Sequence, residues 1–202
     1  MRETVDRVRD LVAAIEPADD RERADQDDCL AWLAGTTDIY RRAKPATPAR
    51  HLVSYALPVD VRDGSTFLVD HRLAGLWLPP GGHVEAGEDP AATARREARE
   101  ELTIEAEFAV AGEAPFFVSV TRTVPVAGPA ATAADRAAHR GHTDVSLWYL
   151  LAGRPGMPIT LDDREFAGGR WWAAAEVESA DPGLFDPCFG RFLAKLRAEL
   201  GC

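Results

Sequence analysis

Three glutamates, Glu97, Glu100 and Glu101, stand at i, i+3 and i+4. On a helix turning about 100° per residue they share one arc of roughly 100°. Like charges so placed repel one another, and they sit beside Ala91, Ala94, Ala98 and Leu102, the expected buried stripe of the same helix. A hard divalent cation turns that repulsion into coordination, because Mg²⁺ and Mn²⁺ favour carboxylate, carbonyl and water oxygens. Taken by itself, the helix also reads as a charged solvent face, with Arg95, Arg96 and Arg99 interleaved as ion-pair partners. The residues in front of it add to the first reading. Gly81-Gly82 can turn the backbone sharply and leave carbonyl and N–H groups open to a ligand. Asp89-Pro90 is a strong helix start: the Asp side chain can cap exposed N–H groups, and proline loses nothing at the first helical position. Glu88 stands just before it, where the helix dipole favours a carboxylate. Glycine loop, acid, capped helix and carboxylate triplet together make a compact site for a metal and a phosphate.

Residues 82–104, GHVEAGEDPAATARREAREELTI, resemble the Nudix box, G-x5-E-x7-R-E-U-x-E-E-x-G-U with U a bulky apolar residue. Gly82, Glu88, Arg96, Glu97, Glu100, Glu101 and Ile104 fall on pattern over 23 positions. Ala98 is small where the family has a bulkier residue, and Thr103 replaces the second glycine, departures that bear on helix packing and the exit turn. The resemblance implies an α/β fold, the Nudix α/β/α sandwich with a mixed sheet. It implies an activity too: water cuts a phosphoanhydride in a nucleoside diphosphate linked to another group, with Mg²⁺ or Mn²⁺ as cofactor. It also implies Glu97, Glu100 and Glu101 as metal ligands, the Gly81 carbonyl as a further protein oxygen, Arg96 as the residue orienting the carboxylates, and Glu88 as support for the loop. The general base varies across the family. It is one of the helix glutamates or Glu165, which precedes a Trp-containing segment; Glu165 also reads as an ordinary surface acid.

For the substrate, the expected contacts are Gly82, Trp77, His142 and Trp148. Phe116, Phe117, Tyr149, Trp171 and Trp172 are further stacking candidates, and every one of these aromatics is equally a core residue type. Trp148 and Tyr149 point to opposite faces of their strand, so only one faces the site. His142 and Asp144 share a face and read as a substrate or metal contact or as a local hydrogen-bonded pair. By resemblance, the subfamilies acting on coenzyme A, ADP-ribose and dinucleoside polyphosphates carry accessory residues not found here. Pro115 comes too early for the ADP-ribose marker, and Thr121 or Arg122 occupies the dinucleoside tyrosine position. Nucleoside triphosphates and nucleotide sugars remain as the leading substrates. The competing reading is a catalytically silent nucleotide-binding sensor, against which the intact carboxylates argue. The isoprenoid diphosphate isomerase branch needs a catalytic cysteine, and Cys29, Cys188 and Cys202 are poorly placed for it.

Several elements must position these groups. Val5, Val8, Leu11, Val12 and Ile15 recur at helical spacing up to Pro17. Residues 16–28 hold seven acids against two bases and read as a solvated connection to a second helix with Leu30, Trp32, Leu33, Ile39 and Tyr40. RRAKPATPAR follows as a linker, which places a helical appendage at residues 1–50 and the hydrolase domain at 51–202. The appendage is expected to pack on the domain, cap the cleft or pair two subunits as a homodimer, since its apolar stripes must be buried somewhere. HLVSYALPVDV and TFLVDHR flank the hairpin signal Asp63-Gly64; FAVAGEAPFFVSVTRTV, DVSLWYLLAG and residues 170–174 read as further strands, and Phe189 to Leu200 as a last helix. The Ala-, Gly- and Pro-rich segment 125–142 reads as a lid or a loose insertion.

Composition bounds the partners. With 23 Lys and Arg against 33 Asp and Glu, the net charge of −10 disfavours nucleic-acid polymers and lipid surfaces, both of which need basic patches. Segment 85–107 holds eight acids against three bases, so half of that charge lies in the expected metal site. The charged start MRETVDRVRD lacks a signal-peptide core, and no apolar run approaches a membrane span, so a cytoplasmic location is expected. Three scattered cysteines indicate neither a disulfide framework nor a zinc knuckle.

Overall fold

The computed structural model describes residues 2–43, 47–123 and 141–202. Among them, two helices come first, α1 (Arg2–Ala13) and α2 (Asp20–Gly35), followed by strands β1 (Arg50–Asp60), β2 (Ser65–His71), β3 (Leu76–Leu78) and β4 (Gly81–His83). Helix α3 (Pro90–Leu102) precedes β5 (Phe117–Arg122), β6 (Thr143–Ala152) and β7 (Phe166–Trp172), and the chain ends in α4 (Ala174–Ser179) and α5 (Phe189–Leu200). Most of segment 125–142, read from sequence as a lid or insertion, lies outside the described residues.

The sheet is mixed. β1 runs parallel to β6 over the whole register from Arg50↔Thr143 to Val59↔Ala152. On its other edge β1 pairs antiparallel with β4 near Ser54 and with β2 near Val59. β5 adds antiparallel to β6, while β3 and β7 add antiparallel to β2. Alternation along the buried strands divides the core into two layers. Leu147, Tyr149 and Leu151 of β6 join Leu52 and Ala56 of β1 under α1, α2 and α3. Trp148 and Leu150 point the other way, onto Phe189, Phe192, Leu193 and Leu196 of α5. Helices cover both faces, so the architecture is the α/β/α sandwich with a mixed sheet and N-terminal helices. Among the described residues, no helix is long and apolar enough to cross a membrane.

The first acidic stretch differs from the sequence expectation. It is not a solvated connection, because α2 begins at Asp20, capped by the Asp19 side chain accepting the Glu22 N–H. Glu22 is fully buried and meets Lys195 of α5 at 2.8 Å, and Asp19 meets Arg191 at 2.8 Å. The Gln26 amide donates to the carbonyls of Val12 and Ile15, fastening α1 to α2. These first turns are held by polar contacts, and apolar spacing marks only the later part of the helix with Leu30, Trp32 and Leu33; Ile39 and Tyr40 lie beyond its end at Gly35. The apolar stripe of α1, Val5, Val8 and Val12, is covered within the chain itself. The proposed long strand from Phe108 also shortens: only Phe117–Arg122 is a strand, and Phe108 makes an isolated bridge to Leu151.

Candidate active site

The site is built where β4 passes the start of α3. Gly81 has φ +147°, and a Cβ there would lie 2.3 Å from the Ser54 carbonyl oxygen and 2.7 Å from the Tyr55 Cα, so glycine alone fits this strand against β1. Its N–H donates to Glu101 Oε2 at 2.8 Å. At Gly82 a Cβ would lie 2.2 Å from Glu97 Oε1. The two glycines therefore bring the backbone against two carboxylates of the helix, one through an N–H and the other through bare Cα surface. Helix α3 is anchored at its start: the Asp89 side chain accepts the Ala91 N–H at 2.9 Å, and Ser54 Oγ of β1 donates to the Pro90 carbonyl at 2.7 Å. Ala91, Ala94, Ala98 and Leu102 form its buried stripe. Thr103 at the box's second-glycine position takes the left-handed φ of 57° usually given to glycine, and its hydroxyl donates to the Thr160 carbonyl at 3.2 Å.

Arg96 organises the acids. Its guanidinium donates to both oxygens of Glu88 at 3.1 Å, to Glu97 Oε1 at 2.7 Å, to Glu100 Oε2 at 3.1 Å and to the His83 carbonyl at 3.3 Å. Glu88 also accepts the Thr93 hydroxyl at 2.7 Å and the Glu85 N–H at 3.3 Å, and so ties the loop to the first turn of the helix. Burial opposes ionisation of Glu88, but the bonds from Arg96 and Thr93 outweigh it and hold the carboxyl below its usual range. Glu97 and Glu101 are different. Both are buried, and burial pushes Glu97 up despite Arg96. Glu101 is pushed up to about 9 by burial and by the charge of Glu97, against the Gly81 N–H bond. Arg96 is shared among Glu88, Glu97 and Glu100, and Glu101 is desolvated beside Glu97 with only the Gly81 N–H to offset it. The donor set is all oxygen, which suits a hard divalent cation. The residues present fit such an ion.

Glu97, Glu100 and Glu101 line a cleft of about 330 Å³ with Asp162, Arg164 and Glu165 from the segment leading into β7. Glu165, read from sequence as a base or as an ordinary surface acid, thus lines the same cleft as the three helix glutamates. Asp162 and Arg164 were not singled out from sequence, because a charged loop carries no periodicity to mark them. The contact recorded for Gly81 runs through its N–H.

The expected substrate contacts separate. Gly82 lies at the carboxylates. Trp148 is fully buried, packed between Phe117 and Phe192, with its Nε1 donating to Ser119 Oγ at 2.9 Å. It occupies the core layer under α5 and presents no face to a base; core packing explains this tryptophan. Trp77 packs edge-on against Trp172 at 5.2 Å, away from the cleft lining. His142 joins Asp144, and with them stand His51 and His83, a grouping that no local pattern in the sequence shows.

Comparison with known proteins agrees with this geometry. The NUDIX domain family matches residues 50–195. No curated protein matches the sequence. Among solved structures, the MutT protein from Methanosarcina mazei Go1 is 17% identical, with 73% of this chain and 93% of that one covered at a TM-score of 0.51. The MutT Nudix hydrolase from Burkholderia pseudomallei is 22% identical over 71% of this chain and 95% of that one, at a TM-score of 0.49. The dihydroneopterin triphosphate pyrophosphohydrolase from E. coli is 16% identical over 80% of this chain and 97% of that one, at 0.49. The first of these likenesses speaks for the fold, and the family match speaks for the lineage. With the glycine strand, the capped helix and the buried glutamates in one cleft, the chain belongs to the Nudix family of hydrolases, enzymes acting on nucleoside-diphosphate-linked substrates.

Proposed function

We propose that this protein hydrolyses a phosphoanhydride bond in a nucleoside diphosphate linked to a further group, using Mg²⁺ or Mn²⁺, with nucleoside triphosphates and nucleotide sugars as the leading substrates. The observation that carries the proposal is the pair of buried glutamates, Glu97 and Glu101, short of positive charge at the wall of a cleft. Glu97, Glu100 and Glu101 would hold the cation. When bound, it supplies charge neutralisation for the phosphate oxygens and a more acidic water. The protein's own part is positional. Gly81 fixes Glu101 by an N–H bond, Gly82 leaves room for Glu97, and Arg96 sets the spacing of Glu88, Glu97 and Glu100. Glu165 faces these groups across the cleft and is the residue we assign to accept the proton of the attacking water, with the helix glutamates as the alternative bases. Arg164 at the same wall gives the cleft a cationic side chain for an anionic substrate.

In this reading residues 51–202 carry the hydrolase domain and residues 1–50 form an appendage that braces it, with α2 clasped to α5. Cys29, Cys188 and Cys202 are unbridged thiols, consistent with work in a reducing cytoplasm. A panel of nucleoside triphosphates, nucleotide sugars and other nucleoside diphosphate derivatives, assayed with Mg²⁺ and Mn²⁺ for phosphate, pyrophosphate and nucleoside monophosphate, tests the proposal. Release of nucleoside monophosphate with pyrophosphate or a phosphorylated group from at least one member is expected. Tight nucleotide binding with no turnover in either metal would instead identify a sensor.

A further inference from the structure

Three of the chain's five histidines converge on one carboxylate. His51 comes from the start of β1, His83 from the end of β4, and His142 and Asp144 from the entry to β6. One donor atom from each lies within 4.8 Å of all the others. Asp144 Oδ1 is 3.2 Å from His51 Nε2, 3.2 Å from His142 Nε2 and 4.0 Å from His83 Nε2. A tetrahedral Zn²⁺ with bonds of about 2.0–2.1 Å sets its donors about 3.3 Å apart, so two of these separations already fit. The widest pair has to close by about 1.5 Å from the observed limit of 4.8 Å, a shift that imidazole rotation can supply.

Hydrogen bonding sharpens the point. His51 is fully buried, and its Nδ1 stands 2.9 Å from the Pro48 carbonyl oxygen. A carbonyl only accepts, so Nδ1 carries a proton toward Pro48 and Nε2 is the ring atom turned to Asp144 Oδ1, 3.2 Å away. Neither His51 Nε2 nor Asp144 Oδ1 makes an aligned hydrogen bond. Buried ring nitrogens and a buried carboxylate oxygen that converge without hydrogen-bond partners are atoms a shared cation would satisfy. The Pro48 contact is also the outer bond that metal-binding histidines ordinarily make, one that fixes the ring and its tautomer.

We infer that His51, His83, His142 and Asp144 form a second metal site, closed and tetrahedral, for a Zn²⁺-class transition ion. Imidazole nitrogen suits zinc and its neighbours, whereas Mg²⁺ favours oxygen, so this site and the glutamate cleft select different ions. Four protein donors fill a tetrahedron and leave no open position, the mark of a structural ion. The ion would stitch β4 to β1 and β6. His83 adjoins Gly82, and its carbonyl accepts from Arg96 at 3.3 Å, so the stitch would hold the strand on which Glu97 and Glu101 lean. The two centres are neighbours: the Arg41 guanidinium interacts with Asp144 of one and Glu97 of the other. The inference does not rest on the hydrolytic reading of the cleft.

The test is titration of the chelator-treated full-length chain with Co²⁺, followed by optical absorption in excess Mg²⁺. One equivalent of Co²⁺ with the intense visible bands of tetrahedral coordination is expected, displaced by Zn²⁺ and untouched by Mg²⁺. The Glu97→Gln/Glu101→Gln variant should keep the spectrum. His83→Gln and Asp144→Asn, both at partly exposed positions, should weaken binding by more than about a hundredfold, beyond the 10–100-fold typical of outer-shell changes. Circular dichroism of the metal-free variants shows whether they are folded, and a spectrum lost from a folded variant supports the site. A weak octahedral spectrum abolished by Mg²⁺, or tetrahedral bands unchanged in both His83→Gln and Asp144→Asn, overturns it.

Discussion

Replacing Gly82 by alanine separates the chemistry of the cleft from its folding. The added Cβ would lie 2.2 Å from Glu97 Oε1, where ordinary contact begins near 3.4 Å, so the carboxylate has to retreat by about 1.2 Å. Gly82 does not have the positive φ of its neighbour Gly81, so alanine's own backbone is not strained there. The obstacle is the end of a flexible side chain, and that side chain is a proposed metal ligand. A misplacement of about 1 Å at a reacting centre costs about a hundredfold in rate. The expected outcome is a kcat lower by about a hundredfold with a melting temperature within about 3 °C of the parent, equivalent to less than about 1 kcal/mol in a chain of this size. Gly81→Ala is the contrast. Its Cβ meets the Ser54 carbonyl and Tyr55 Cα of β1, backbone atoms that cannot swing away, so it should lose folding stability outright. Nucleotide hydrolysis and thermal unfolding of both variants decide the matter. A Gly82→Ala protein with parental kcat would refute the idea that the position of Glu97 matters.

Further outcomes follow from buried charge. Metal-free Glu101, pushed up to about 9, is protonated at neutral pH, so binding Mg²⁺ at about pH 7.5 should expel about one proton and affinity should climb with pH. Calorimetry in two buffers of unlike ionisation heat reads that number, and zero protons would contradict the desolvated carboxylate. Asp186, buried beside Tyr55 and accepting the Cys188 N–H at 2.7 Å, is pushed up by burial from 3.8 to about 6. The native state therefore binds the extra proton, and stability falls as pH rises from about 4 to about 6, by up to about 3 kcal/mol, and stays lower above that. Asp186→Asn should melt higher than the parent at about pH 8 and level with it at about pH 4; equal melting at both would refute this. Lys195→Met leaves Glu22 buried without its partner and should cost about 3 kcal/mol, most of it recovered on adding Glu22→Gln, as denaturant unfolding of the three variants would show.

How much of this was legible in the sequence depends on what kind of contact carries each part. The carboxylate triplet, the capped helix and the glycines are local, with fixed spacing along a short segment, and the structure brings them together as that spacing implies. Strands β1, β2, β5, β6 and the end of β7 announce themselves by β-type runs, whereas β4 forms at Gly81–His83, which reads from sequence as a glycine loop; the opposite orientation of Trp148 and Tyr149 follows from the two-residue period. Helix α2 was legible only in its second half, through Leu30, Trp32 and Leu33: its first turns are held by Asp19, Glu22, Asp25 and Gln26 through polar contacts to distant residues, which leave no apolar rhythm. The histidine cluster was hidden for a related reason. Its members sit on three strands, and only the parallel register placing His51 opposite Asp144 and the antiparallel one placing His83 opposite Val53 make them neighbours. Trp148 shows the converse, an aromatic whose chemistry suits a base but whose register commits it to the core.

The central claim is that buried glutamates of α3 make the cleft a metal-dependent hydrolytic centre. Its most direct test is the Mg²⁺-dependent kcat of the parent, of Glu97→Gln and of Glu101→Gln on the substrate found by the nucleotide panel, with circular dichroism confirming the fold. Folded variants are expected whose kcat falls by at least about a hundredfold and whose residual rate demands far more Mg²⁺. Folded variants with parental kcat and unchanged Mg²⁺ dependence would contradict it.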